Sequence, residues 1–311
     1  MAFASTSNAK LAFGSQASGF GTPQTTGLQY MRFNNESLTF AAETATSEEI
    51  TTSRGVSDVI RTAGGASGDV EFELSYDAVT DLILEGVLQD TAWSTNVITN
   101  GSTQQYFTIE KEFTGTDADF FIVEDAAVSG LEVTVETGAI VTAVASFLGS
   151  TITNQEATSE SGGITAAGSG ALVSAVGSNV LIQLGGSPSS AGTITNVQSC
   201  SFAIDNGLRE QRRIGTSALA GVGSGRFNVT GSLVVYFEDD DEYGLFMSET
   251  ARNLTLVLNA SDGKGYTFDF PKIKYTSAEI LASGIDSDIV AAFEWQALEH
   301  STGTCIVTRT P

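Results

Sequence analysis

The chain has 311 residues, 14 of them Lys or Arg and 37 Asp or Glu, for a formal net charge of −23. That balance excludes a protein that grips nucleic-acid phosphates, which needs clustered basic side chains; it suits a surface that repels nucleic acid or stays soluble when concentrated. The charged fraction of 16% lies below the ~25% of an average soluble domain, and 33 Gly with abundant Ser and Thr favour strands and tight turns over long helices.

Residues 1–30 are polar and Gly-rich and predict an arm plus one strand, with Pro23 in a fixed turn. The opening MAFASTSNAK has neither a basic stretch nor an apolar one, so no secretory signal is expected. No apolar run approaches the ~20 residues of a membrane span, so the chain is expected to fold in a cytoplasm, away from membranes. Alternation begins after Met31. In VEFELSY, Val70, Phe72, Leu74 and Tyr76 face one way and Glu71, Glu73 and Ser75 the other, the period of a half-buried strand. Asp77 is placed to cap a helix over residues 78–88, with Val79, Leu82, Ile83 and Gly86 on its packed face. LEVTVETG repeats the alternation, with Leu131, Val133 and Val135 inward and Glu132, Thr134 and Glu136 outward.

Residues 153–171, TNQEATSESGGITAAGSGA, read as a flexible linker or a long surface loop. A strand around 179–184 and the loop GGSPSSAG then open a second half. The order of elements in that half matches the first. SLTF (37–40), VEFELSY, an acidic helix start and AIVTAVASFLG (139–149) correspond to SFAI (201–204), RFNVTGSLVVYF (226–237), DDDEYGLFM (239–247) and DIVAAFEWQAL (288–298). YTFDF again alternates, with Tyr266, Phe268 and Phe270 on one face. The run EDDDE has a plain structural role, negative charge at a helix N-terminus. Its spacing does not fit an EF-hand. Each half also carries a long polar loop at the same place. Residues 41–68 hold Glu43, Glu48, Glu49, Arg54, Asp58 and Arg61; residues 205–225 hold Arg209, Glu210, Arg212 and Arg213. Loops this long in compact units usually have a role, and clustered Arg facing carboxylates across a subunit boundary would set register and specificity.

Little in the chain asks for catalysis. His300 is the single histidine and sits in a polar stretch. There is no GxSxG elbow, and GVGSGR (221–226) precedes a strand and lacks the Lys of a phosphate loop. No cluster of His and Cys suggests a metal, and no cofactor is expected. Cys200 and Cys305 read as buried free thiols, and Trp93 and Trp295 as core or interface aromatics.

The stretch at residues 36–88, ESLTF through LEGVL, resembles the tail tube proteins of long, non-contractile-tailed bacteriophages. The stretch at residues 201–247, SFAI through GLFM, resembles the second half of the same proteins. The resemblance implies a mainly β fold of two tandem β-sandwich or barrel modules, each with one flanking helix and a long loop: residues 1–152 with the N-terminal arm, a linker at 153–175, and residues 176–311. It implies a structural virion protein, assembled in the host cytoplasm into stacked rings. Their hollow tube holds the tape-measure protein, joins other tail proteins and later passes double-stranded DNA without binding it specifically. A duplicated chain builds a ring from three copies with pseudo-sixfold appearance; the competing arrangement is six chains with one module outside. Glu71, Glu73, Glu132 and Glu136 are candidates for the lumen wall. Glu48, Glu49, Arg54, Asp58, Arg61, Arg209, Glu210, Arg212 and Arg213 are candidates for contacts between rings or subunits. The rival classes are a secreted or surface-layer β-sandwich adhesin and a carbohydrate-active enzyme.

Overall fold

The computed structural model describes residues 5–50, 52–90, 93–114, 118–158, 160, 162–176, 179–185, 192–282 and 284–311. The first half runs β1 (Lys10–Ser15), β2 (Gln29–Met31), β3 (Asn35–Glu36), β4 (Thr39–Thr46), β5 (Val59–Glu73), helix α1 (Ala78–Leu88), β6 (Val97–Thr99), β7 (Phe107–Thr114), β8 (Ala118–Glu136), β9 (Thr142–Gly149) and β10 (Thr151–Gln155). The second runs β11 (Val180–Gly185), β12 (Gly192–Ile194), β13 (Val197–Asp205), β14 (Arg209–Gln211), β15 (Gly221–Gly223), β16 (Asn228–Tyr236), helix α2 (Asp241–Met247), β17 (Arg252–Asn259), β18 (Gly265–Leu281), β19 (Val290–Ala297) and β20 (Ile306–Thr310). Of the loop expected at 185–192, residues 186–191 lie outside the described residues.

Each half is two sheets pressed face to face, and one long strand runs through both. The first part of β8 pairs with β7 and β10, its second part with β9 and β13. The first part of β18 pairs with β17 and β20, its second part with β19. The register breaks at the same place in both strands, between Val128 and Gly130 and between Tyr275 and Ser277. A bulge bends a strand and increases its twist, and here it falls where each strand passes from one sheet to the other.

The alternation read from sequence is the core pattern. Val70, Phe72 and Leu74, then Leu131, Val133 and Val135, then Tyr266, Phe268 and Phe270 are buried. Phe13 meets Phe147 across the first sandwich at 5.7 Å between ring centroids, and Phe202, Phe270 and Trp295 stack in series across the second, at 5.2 and 5.1 Å. Asp77 caps α1 by accepting from the Val79 N–H at 2.8 Å.

The structure corrects four expectations. Ser75 does not face water: it is buried and accepts a hydrogen bond from Arg32 at 2.8 Å. The described part of residues 1–30 is no free arm: the expected strand, β1, lies between β2 and β7 with its apolar residues buried. The polar stretch 41–68 is not a loop but mainly the β4–β5 hairpin, exposed on both faces over residues 41–46, so no alternation marked it. Of the linker or loop expected at 153–175, the described residues form no detached linker: Thr165 bridges Gln29, Leu172 bridges Ser75, and buried Glu160 accepts from the Leu28 N–H.

The halves are also clasped on one flank. β20 pairs with β6, and the Tyr266 hydroxyl donates to Asp81 at 2.8 Å while Arg309 reaches the other Asp81 oxygen at 2.5 Å. Arg309 lies over the Trp93 ring at 4.6 Å. One turn along α1, desolvation and then the nearby Asp81 charge push Glu85 from its ordinary 4.5 to about 7. Folded protein therefore holds a proton that unfolded chain has lost. This contribution to stability is complete below pH ~4.5 and disappears as pH rises through ~7. Glu85→Gln, which keeps the neutral form, is expected to raise stability at pH 8 by about 1 kcal/mol, solvent screening at a half-buried site limiting the gain. Coincident urea melts of variant and parent at pH 8 would contradict it.

Candidate functional site

The second part of β8 joins β13, so the inner sheets of both halves form one continuous sheet in the order β4, β5, β9, β8, β13, β16, β19, β18. One face packs on the core, and by strand alternation the other carries the polar set. Glu71, Glu73, Glu132 and Glu136 all stand on that polar face. Glu71 lies opposite Val144, which lies opposite Glu132; the row continues through Ala203, Thr230 and Gln296 to Lys274. Glu73 heads a row through Thr142, Thr134, Ser201 and Ser232 to Glu294. Glu136 heads one through Ser199, Val234 and Ala292 to Glu279. Among the described residues, Lys274 is the single basic side chain in these rows. The face also carries Asp69 and Asp205, which with Glu279 and Glu294 were missed from sequence. Glu294 was detectable, since it falls between the inward Phe293 and Trp295 in the closing strand.

No pairing among the described residues closes this sheet within one chain. Its edges are β3–β4 at one end and residues 277–281 of β18 at the other.

The loop candidates divide. Glu48, Glu49, Arg54 and Asp58 lie in the exposed turn of the β4–β5 hairpin, beside the exposed Ile50 and Val56. Arg61, on β5, stacks on Phe40 at 5.1 Å. Arg209 and Glu210 form part of β14, and Arg212 and Arg213 follow it. Arg212 bridges Glu210 at 2.5 Å and Glu43 at 2.9 Å, joining the segment after β14 to strand β4 within one chain. The second loop also folds onto the first half: Asn206 donates to the Val87 and Val128 carbonyls, and Leu219 and Val222 pack near Ala127. Exposed Arg213 has no role visible in this arrangement.

A family model described as phage tail tube protein matches residues 6–297. The chain belongs to the phage tail tube protein family. It is a structural virion protein that self-assembles into the tube of a phage tail, not an enzyme. This tail tube protein has no group of three or more potential metal ligands among its described residues, and none of its described helices is long and apolar enough to cross a membrane. No curated relative matches it. Among solved structures it is similar to a chain of the virion of a native gene transfer agent particle, with 13% identity, TM-score 0.33, and coverage of 43% of this chain and 98% of that one. It is also similar to a chain of the anti-feeding prophage baseplate, with 11% identity, TM-score 0.34, and coverage of 47% and 91%.

Proposed function

We propose that residues 1–152 and 176–311 are two tube modules, that three chains close one ring, and that the acidic sheet face is the inner wall of a long, non-contractile tail. The carrying observation is the repetition: each half contributes four strands to one sheet, in the same order and with the same bulge. Two equivalent modules per chain let three copies occupy six equivalent positions. A wall bearing Glu71, Glu73, Glu132 and Glu136 repels DNA phosphates and lets the duplex slide. During assembly the same channel holds the tape-measure protein. Electron microscopy of assembled tubes with rotational averaging tests the reading. Three chains per ring support it; six chains would place one module outside; an absence of tubes would favour a surface-layer adhesin.

The charged loops, in this reading, contact neighbouring rings. Arg212→Glu with Arg213→Glu is expected to shorten tubes and reduce their yield while leaving the unfolding midpoint of the free chain in place, since both side chains are exposed. Tubes of parental length and yield would remove these residues from ring stacking.

A further inference from the structure

The junction between the halves specifies, residue by residue, how one copy meets the next. The two halves superpose in register. Phe147 on β9 corresponds to Trp295 on β19, since Phe147 lies opposite Val128 and Trp295 opposite Tyr275, just before matching bulges. Gly130 therefore corresponds to Ser277, and Glu132 to Glu279. On the other flank Glu73 lies opposite Thr142, and Tyr236 opposite Val290, the first residues of the two closing strands. That aligns β5 with β16, and so Thr39 with Ala203 and Ala41 with Asp205. Inside the chain, Ala203 lies opposite Glu132 and Asp205 opposite Gly130. The two residue sets that would repeat this junction, 37–41 and 277–281, are the two open edges of the sheet.

Resting on the ring reading above, we propose that residues 37–41 of one copy pair antiparallel with residues 277–281 of a second copy, Thr39 opposite Glu279 and Ala41 opposite Ser277. This register places Leu38 opposite Ile280 and Phe40 opposite Ala278 on the core face, as Phe202 lies opposite Val133 and Ile204 opposite Leu131 within the chain. It covers Ile280 and Leu281, which are 38% and 54% exposed in the single chain, where unpaired strand edges are a liability. In the single chain the Leu38 edge is capped by side chains: its N–H donates to Glu36 at 3.0 Å and its carbonyl accepts from Lys111 at 2.9 Å. Pairing exchanges these caps for backbone partners.

The test is disulfide trapping in the full chain. Thr39→Cys with Glu279→Cys changes two exposed side chains, and the native Cys200 and Cys305 are buried. After mild oxidation of assembled tubes, a non-reducing gel is expected to show covalent dimers and trimers, since directly opposed residues lie within disulfide reach. Thr39→Cys with Leu281→Cys, displaced by two residues, is expected to give none. Trapping by the displaced pair alone, or by neither pair in tubes seen by microscopy, overturns the register. A chain that stays monomeric overturns the ring reading and this contact together. Hydrogen exchange needs no substitution: the amides of 277–281 are expected to gain protection on going from free chain to tube, and equal exchange in both overturns the contact.

Discussion

Replacing Trp295 by alanine is expected to lower the stability of the free chain by about 3–5 kcal/mol, the range for deleting a large buried aromatic. The side chain is 1% exposed, its ring lies 5.1 Å from Phe270, and it fills the space above a glycine. A Cβ at Gly231 would stand 2.4 Å from the indole and 2.3 Å from the Ser201 carbonyl oxygen. Gly231 is paired on both sides, opposite Phe202 and opposite Trp295, so its strand cannot shift into the cavity left by the indole without breaking that pairing. The indole N–H has no acceptor among the described residues, so Trp295→Phe leaves no carbonyl unpaired there and, leaving a smaller cavity, is expected to cost clearly less than the alanine change. Denaturant melts followed by far-ultraviolet circular dichroism check both; an alanine variant with the parental midpoint would show that Trp295 does not hold the second sandwich together.

Under the inner-wall proposal, Glu71→Lys with Glu73→Lys is expected to slow DNA release from assembled particles by on the order of tenfold or more, because lysines repeated along the tube would hold phosphates where the proposed acidic wall would repel them. Both positions are partly exposed on the polar face, so the chain should still fold and assemble. The slowing should fade as salt screens the charges. Release kinetics equal to the parent at low ionic strength would take Glu71 and Glu73 off the inner wall.

Where one sheet face is buried, sequence alternation was enough to orient side chains. That is why VEFELSY and LEVTVETG placed four glutamates on one side; Asp77 marked the start of α1 for a different reason, its side chain's fitness to cap a helix. SLTF and SFAI were also matched in the register that the strand pairings give, Ser37 with Ser201. Other features leave no such trace. The β4–β5 hairpin is exposed on both faces, so its polarity resembles that of a loop. KLAFGS is too short, and too closely flanked by Gly and Ser, to signal an interior strand. The contact of Arg212 with Glu43 joins the segment after β14 to strand β4, whose proximity depends on the tertiary fold. That the two inner sheets merge through β8 and β13 depends on pairing between distant segments, which no local pattern encodes.

The pairing of β6 with β20 joins segments about 210 residues apart, and such distant contacts slow folding. Val97–Thr99 leaves the ribosome long before Ile306–Thr310 exists to pair with it. The first half must therefore wait, one strand short, until translation has passed Thr310. Residues 277–281, the assembly edge proposed above, are likewise made late. A nascent chain thus has little opportunity to polymerise through that edge on the polysome: competence to join a neighbour there arrives only after the first half and most of the second have been made.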